Sequence, residues 1–131
     1  MILEKDPICF NHNLETVERL QKEVRRGANY KKSLSLLKKS KDIAPHIQTK
    51  SGIMLGLGET LDEIKHTIYD LKKIDCDQIT IGQYLRPSLN HLAVKKYWEP
   101  SEFQYLYRFS KELGFQKVSS GPLVRSSYHA G

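Results

Sequence analysis

IQTKSGIMLGLGE, from Ile47 to Glu59, is the most informative segment of the sequence. Its apolar, β-branched and glycine-containing run predicts a buried strand that leads into a tight loop. A helix is predicted next, because Thr60 can act as its N-cap with Glu63 three residues later. The apolar stripe of this helix consists of Leu61, Ile64, Ile68 and Leu71.

Towards the N-terminus the same alternation of strand and helix is predicted. PICF, from Pro7 to Phe10, has the composition of a short strand, and NHN follows it as a loop. A first helix is predicted from an apolar series at helical spacing, which consists of Leu14, Val17, Leu20 and Val24. A second helix is predicted for residues 30–43 and should end before Pro45.

Towards the C-terminus the pattern continues with a strand, a helix and a last short strand. QITIGQYL, from Gln78 to Leu85, predicts the strand, and a polar, proline-containing loop follows it. Ser101 can cap the helix and Gly114 suits its C-terminal exit. The inward positions of this helix are Phe103, Leu106, Phe109 and Leu113. QKVSS, from Gln116 to Ser120, predicts the last strand.

Strands that alternate with amphipathic helices imply parallel βα units, and hence an α/β fold. Three such units cannot close a barrel. We therefore expect a sheet with a bare edge on its N-terminal side.

Composition limits the classes of partner. Among 131 residues, 21 Lys and Arg against 15 Asp and Glu give a formal net charge of +6. Basic side chains concentrate in residues 22–41 at the spacing of a solvated helix face, and no nucleic-acid motif accompanies them, so no nucleic-acid partner is expected. Since no apolar run approaches the roughly 20 residues that span a bilayer, we expect no membrane association and a cytoplasmic location, with an organelle as the alternative.

The two cysteines, Cys9 and Cys76, are too few for a disulfide framework. They are also too far apart in the sequence for a close-spaced metal motif. We expect both to be buried as small hydrophobic residues.

Polar residues and glycines lie on or follow each predicted strand where its carboxyl end should be, and the active sites of βα folds lie at such ends. They are Asn11, His12, Asn13 and Glu15 for the first strand, Lys50, Gly56, Gly58 and Glu59 for the second, and Gln83, Arg86 and Ser88 for the third. Amides and carboxylates there could hold vicinal hydroxyls, and glycines could let the backbone approach a ligand. Helix caps and ordinary turns are the alternative explanation.

Four segments resemble, in order, motifs of the lipoyl synthase family of radical S-adenosylmethionine (SAM) enzymes. They are FNHNLET (Phe10 to Thr16), TKSGIMLGLGET (Thr49 to Thr60), TIGQYLRPS (Thr80 to Ser88) and GPLVRSSYHA (Gly121 to Ala130). The resemblance implies the C-terminal half of a partial (β/α)6 TIM-like barrel of the radical SAM type over residues 1–131, with residues 121–131 as the RSSY-containing tail. NHNLET-like strings also occur in biotin synthases, which would not be expected to carry the RSSYHA ending.

The resemblance also implies residues that bind S-adenosylmethionine. They are Asn11, His12, Asn13, Glu15, Lys50, Gly56, Glu59 and Gln83. Asn13 and Glu15 would bind the ribose hydroxyls, and the two residues before Asn13 would shape the site. Gly56 and Glu59 would lie beside the adenosine, and Gln83 near adenine and substrate.

A metal ligand is implied in the tail. Ser127, in preference to Ser126, resembles the oxygen ligand of an auxiliary iron–sulfur cluster. Serine oxygen is a harder and less matched ligand for cluster iron than thiolate, which suits a cluster that gives up sulfur.

The family's cysteine motifs are missing from the sequence. A complete lipoyl synthase carries a CxxxCxxC motif and a separate cysteine trio, which hold two 4Fe-4S clusters, and two distant cysteines cannot replace them. We therefore expect a fragment, a truncated gene product or one half of a split enzyme, which would need an N-terminal half or a complementing chain.

By resemblance, the complete enzyme cleaves S-adenosylmethionine reductively and inserts sulfur at C6 and C8 of an octanoyl group carried by a lipoyl-domain protein. Two alternatives stay open. One is a non-catalytic half-barrel that needs a partner chain, and the other is a different radical SAM sulfur inserter such as biotin synthase.

Overall fold

The computed structural model describes residues 9–24, 27 and 29–124, in which strands and helices alternate. The strands are β1 (Cys9–Asn11), β2 (Gln48–Leu55), β3 (Gln78–Gln83) and β4 (Lys117–Ser120). The helices are α1 (Gln21–Val24), which continues a 3-10 turn at Glu18–Leu20, α2 (Tyr30–Ile43), α3 (Leu61–Lys73) and α4 (Pro100–Leu113).

The four strands form one parallel sheet in the order β1-β2-β3-β4. Lys50 pairs with Asn11 on one side and with Gln78 on the other, and Leu55 pairs with Gln83. The predicted α/β fold with parallel βα units is confirmed. A sheet whose strands follow chain order is compatible with part of a barrel, in which each strand pairs with its neighbours in sequence.

The hydrophobic core lies between one face of the sheet and the helices. Ile53 and Leu55 of β2 and Ile79 and Ile81 of β3 belong to it. The buried core residues of the helices are Tyr30, Leu37, Ile64, Ile68, Leu71, Phe103 and Leu106. Because side chains alternate along a strand, Lys50 and its alternate neighbours in β2 lie on the opposite face.

The first unit differs from its prediction, because no helix spans residues 14–24. The backbone after β1 instead continues beside β2: the His12 N–H donates to the Lys50 carbonyl at 3.0 Å, and the Glu15 N–H donates to the Gly52 carbonyl at 3.0 Å. These bonds keep the chain extended. Helical structure therefore begins only at the 3-10 turn, although Leu14 is buried as its apolar character predicts.

The ends of the longer helices follow local capping chemistry. Thr60 and Glu63 form the predicted capping box of α3, and Gly114 has the left-handed backbone predicted for the end of α4. The prediction that Ser101 caps α4 is wrong. Pro100 occupies the first turn, and Glu99 forms the capping box.

The two cysteines have different surroundings. Cys76 is 1% exposed in the core, and burial raises the pKa of its thiol to about 11. The prediction that Cys9 is buried is wrong, because Cys9 opens the edge strand β1 and is exposed. None of the described helices is long and apolar enough to cross a membrane.

Candidate functional site

A groove of about 810 Å³ lies at the carboxyl ends of β2 and β3. Its lining combines charged, amide and apolar side chains. It consists of Glu15, Glu23, Val24, Met54, Leu57, Gln83, Tyr84, Leu85, Arg86, Pro87, Asn90, His91, Leu92 and Val124. The groove therefore lies where the pattern of polar residues predicted a site.

Glu15 reaches the groove through an unusual backbone conformation. Its φ is 73°, and it forms a parallel bridge with Ile53 of β2. The Glu15 carbonyl accepts a hydrogen bond of 2.8 Å from the Met54 N–H. Left-handed backbone is uncommon outside glycine, and bonding to β2 on both sides holds it here.

Glu59 binds the turn that follows β2. Its Oε2 accepts a hydrogen bond of 2.7 Å from the Gly56 N–H, and its Oε1 accepts one of 3.0 Å from the Leu57 N–H. The side chain is 7% exposed. Charge-assisted bonds of this kind fix backbone geometry strongly, so Glu59 shapes the turn from within.

Gln83 joins the same turn to the chain before α4. Its Nε2 donates to the carbonyls of Lys96 (2.9 Å) and Tyr84 (3.0 Å). Gly56 has a φ of 115°, and a Cβ on it would collide with the Gln83 amide nitrogen and lie 2.6 Å from the Lys96 carbonyl oxygen. Glycine is therefore required at position 56 for these three residues to pack.

Glu15, Gly56, Glu59 and Gln83 thus come together at the carboxyl ends of the strands, as predicted. Asn13 is buried two residues before Glu15, in the segment that runs beside β2. Their role in binding stays a prediction.

Asn11 is the last residue of β1, at its carboxyl end as predicted, whereas Lys50 lies near the amino end of β2. They pair with each other in the row that contains Gln78, the first residue of β3. Lys50 is four residues before the groove residue Met54, or roughly 13 Å along the strand. His12 contacts Ser33 of α2 through a bond of 3.0 Å between its Nε2 and the serine Oγ.

The loop between β3 and α4 supplies residues in and beside the groove that sequence reasoning did not single out. The Tyr84 hydroxyl donates to the Leu92 carbonyl at 2.6 Å. The Trp98 indole Nε1 donates to Glu59 Oε2 at 2.9 Å, and the Trp98 side chain is buried. The loop has no periodic pattern, and its one cue is that it holds the only tryptophan of the chain.

Comparison with known proteins decides the family. A lipoyl synthase 2 of Prochlorococcus marinus subsp. pastoris is 79% identical over 130 residues, which are 99% of this chain and 44% of the relative. A lipoyl synthase 2 of Nostoc sp. is 57% identical over 131 residues, 100% of this chain and 44% of the relative. The chain belongs to the lipoyl synthase family. The lipoyl synthase of Hydrogenovibrio crunogenus is 53% identical over 130 residues, 99% of this chain and 41% of the relative.

The chain spans less than half the length of these lipoyl synthases. This coverage agrees with the prediction of a half. No protein-family model matches the chain.

The described residues do not fit the iron–sulfur clusters that the lipoyl synthase family implies. No group of three or more His, Cys, Asp or Glu side chains among them could hold a metal ion. Cys9 begins β1 and Cys76 lies just before β3, at the end of the sheet away from the groove. Burial raises the pKa of the Cys76 thiol, and partial desolvation raises that of the exposed Cys9. Ser127, the predicted cluster ligand, lies outside the described residues.

Residues close to the tail do reach the groove. The Gly121 N–H donates to the Ile81 carbonyl at 3.0 Å, and the carbonyl of Val124 lies against Gly82 of β3, where a Cβ would collide with it. Val124 lines the groove. Because Gly82 has no side chain, residues 121–124, which precede the RSSY sequence, can cross the end of β3.

Proposed function

We propose that this chain is the S-adenosylmethionine-binding, C-terminal half of a radical SAM lipoyl synthase. With an N-terminal half or a complementing chain, it would take part in sulfur insertion at C6 and C8 of an octanoyl group on a lipoyl-domain protein. The observation that carries the proposal is the 79% identity to a lipoyl synthase 2 over 99% of the chain. The groove at the carboxyl ends of β2 and β3 supports it.

The groove suits a nucleoside with a charged tail. Its 810 Å³ lie within the usual range of small-molecule sites, and it pairs polar groups with an apolar wall. Glu15 has two carboxylate oxygens that can accept from vicinal ribose hydroxyls. Met54, Leu57 and Tyr84 form an apolar surface against which an adenine ring can pack. When bound and reduced, S-adenosylmethionine supplies the hydrogen-abstracting chemistry.

The contribution of the chain is binding, orientation and exclusion of water. Glu59 and Gln83 hold the Gly56 turn at the edge of the groove, so that main-chain groups there can face the adenosine. Asn13 and Glu15 orient the ribose. Asn11, His12 and Lys50 lie farther from the groove, so for them we propose an indirect role in shaping this side of the sheet.

The clusters would depend on thiolates from outside this chain. We propose that Ser127 contributes one oxygen ligand to the auxiliary cluster. The resemblance of the RSSY tail to the family motif supports this.

Complementation tests the proposed activity. The chain and the remaining N-terminal part of the Prochlorococcus lipoyl synthase 2 are expressed together in a bacterium that lacks lipoyl synthase. Antibody detection of lipoylated proteins is expected only when both are present. If the pair forms a stable complex but yields no lipoylated protein, the chain is a non-catalytic half.

Ligand binding gives a second readout that does not need the clusters. Calorimetry with S-adenosylhomocysteine is expected to show binding to the 131-residue chain, and Glu15→Gln should weaken it at least fivefold because one charged acceptor is lost. Glu18→Gln, at an exposed neighbour, is the matched control and should change nothing. Equal effects of the two substitutions would count against the ribose assignment.

Ser127 is tested in the complemented pair. Ser127→Ala should reduce lipoylated product at least tenfold while cleavage of S-adenosylmethionine to 5′-deoxyadenosine persists, because only the auxiliary cluster loses a ligand. Ser126→Ala is the control. The ligand assignment is wrong if Ser126→Ala abolishes product and Ser127→Ala does not.

A further inference from the structure

We propose that Trp98 is a positioning residue for the groove, which acts through Glu59 and Gln83 on the turn that follows β2. This tryptophan belongs to the segment of residues 92–98, which contains neither helix nor strand. The position of such a segment depends on individual contacts. The consequence of this arrangement for ligand affinity rests on the proposed function, whereas the positioning itself does not.

Trp98 binds both side chains that hold the turn. Its indole Nε1 donates to Glu59 Oε2 at 2.9 Å, and its main-chain N–H donates to Gln83 Oε1 at 2.9 Å. The three side chains are 6–7% exposed. Because water is largely excluded from these side chains, each hydrogen bond contributes more free energy than it would at the surface. Loss of one partner leaves a buried polar atom unsatisfied.

The Trp98 indole supplies the third hydrogen bond to the Glu59 carboxylate.

 The Gly56 N–H, the Leu57 N–H and the Trp98 indole together supply three hydrogen bonds to Glu59, and the indole is the only one of the three that comes from outside the turn. Trp98 therefore fixes the direction in which the carboxylate, and with it the turn, faces the groove.

Further contacts hold Trp98 itself in place. The Lys96 ammonium lies 3.8 Å from the centre of the indole ring and 3.6 Å from Glu102 Oε2 in the first turn of α4. The Lys95 N–H donates to the Gly56 carbonyl at 2.7 Å. The indole is thus held between α4 and the turn, which is the arrangement that a positioning role requires.

Amide hydrogen exchange of the full chain, measured by NMR, tests the positioning. In Trp98→Phe the exchange of the Gly56 and Leu57 amides should become at least tenfold faster, while the amides of Ile79 and Ile81 in β3 keep their rates. Affinity for S-adenosylhomocysteine should fall about tenfold, as expected for one lost bond to a charged group. Unchanged Gly56 and Leu57 rates, or equally faster exchange in β3, would overturn the proposal.

Tyr30→Phe is the matched control. It also removes one hydrogen bond from a buried aromatic residue to a carboxylate, the 2.7 Å bond from the Tyr30 hydroxyl to Asp70 Oδ2, but between α2 and α3. Exchange at Gly56 and ligand affinity should stay as in the wild type. Faster exchange at Gly56 in this control would show that any loss of stability loosens the turn, and would count against a specific role of Trp98.

Glu59→Ala keeps the test decisive if Trp98→Phe does not fold. The chain has one tryptophan, so a single indole N–H resonance reports on this contact. Its exchange should become at least tenfold faster in Glu59→Ala, because this substitution removes the acceptor of the indole N–H. An unchanged indole rate would overturn the proposal. If the exchange results are as expected and the wild type binds no S-adenosylhomocysteine, the positioning role stands and the proposed function fails.

Discussion

The Lys41 ammonium lies 2.6 Å from the Asp77 carboxylate, at the end of the sheet opposite to the groove. The same carboxylate oxygen accepts a hydrogen bond of 2.8 Å from the Thr49 N–H, and the main-chain carbonyl of Asp77 accepts one of 2.9 Å from the Gln116 N–H. One residue thus joins the end of α2 to the beginnings of β2 and β4. The side chain of Asp77 is 9% exposed, so water competes little for these bonds.

Asp77→Ala should lower the free energy of unfolding by about 2–4 kcal/mol, because it leaves the Thr49 N–H unsatisfied and removes the partner of Lys41. Urea unfolding followed by circular dichroism measures the change. The matched control is Asp42→Ala, which breaks the exposed pair with Lys38, and a surface pair of this kind is worth about 0.5 kcal/mol or less. Similar losses in both variants would contradict the importance of burial at Asp77.

The ion pair of Arg19 and Glu63 predicts a dependence of stability on pH. Arg19 Nε lies 2.7 Å from Glu63 Oε2, and this bond lowers the pKa of Glu63 from 4.5 to about 2. A folded-state pKa below the unfolded one means that stabilisation is complete above the unfolded pKa and is lost as the pH falls. The stability advantage of the wild type over Glu63→Gln should therefore be constant above about pH 5 and disappear between about pH 4.5 and 2. Urea unfolding of both proteins across this range measures it, and an advantage that persists at pH 2 would contradict the assignment.

Most of the fold could be predicted from the sequence because local patterns specify it. The range 30–43 predicted for the second helix agrees with α2, and the capping box at Thr60 and Glu63 is present. The extent of the first helix was predicted wrongly, because bonds from residues 12–15 to β2 override the helical spacing of Leu14 and Val17. Pairing between segments nearly 40 residues apart leaves no trace in local periodicity.

The candidate site was predictable only in part, for a similar reason. Gly56, Glu59 and Gln83 follow strands that the sequence reveals, so their position at one end of the sheet could be expected. Trp98 could not be expected there, because it lies in a loop whose path depends on bonds to Glu59 and Gln83. Lys50 lies opposite Gln78 because of the register between β2 and β3. Tertiary contacts set this register.

Iron–sulfur reconstitution tests the conclusion that the chain cannot hold a cluster by itself. Anaerobic treatment with iron and sulfide should give far less than one 4Fe-4S cluster per chain, because Cys76 is buried with a pKa of about 11 and Cys9 alone cannot supply four thiolates. Iron and sulfide analysis together with charge-transfer absorption measures the yield. The double variant Cys9→Ala, Cys76→Ala is the control and should give the same background, whereas near-stoichiometric iron in the wild type would refute the conclusion.

Gly56→Ala and Gly58→Ala separate close packing from backbone strain. Both glycines have a φ of 115°, so either substitution should cost about 1–2 kcal/mol of unfolding free energy from the unfavourable backbone alone. At Gly58 the added Cβ would lie 3.5 Å from Lys95 Cδ, which is ordinary contact. At Gly56 it would collide with the Gln83 amide nitrogen and lie 2.6 Å from the Lys96 carbonyl oxygen.

Relief of that collision requires Gln83 or the Lys96 main chain to move, and both belong to the edge of the groove. Gly56→Ala should therefore lose about 1–3 kcal/mol more than Gly58→Ala, as measured by urea unfolding. It should also weaken S-adenosylhomocysteine binding by a larger factor than Gly58→Ala, because the groove changes shape as well as stability. Equal losses in the two variants would mean that backbone strain alone accounts for both glycines and that the packing of Gly56 against Gln83 contributes nothing.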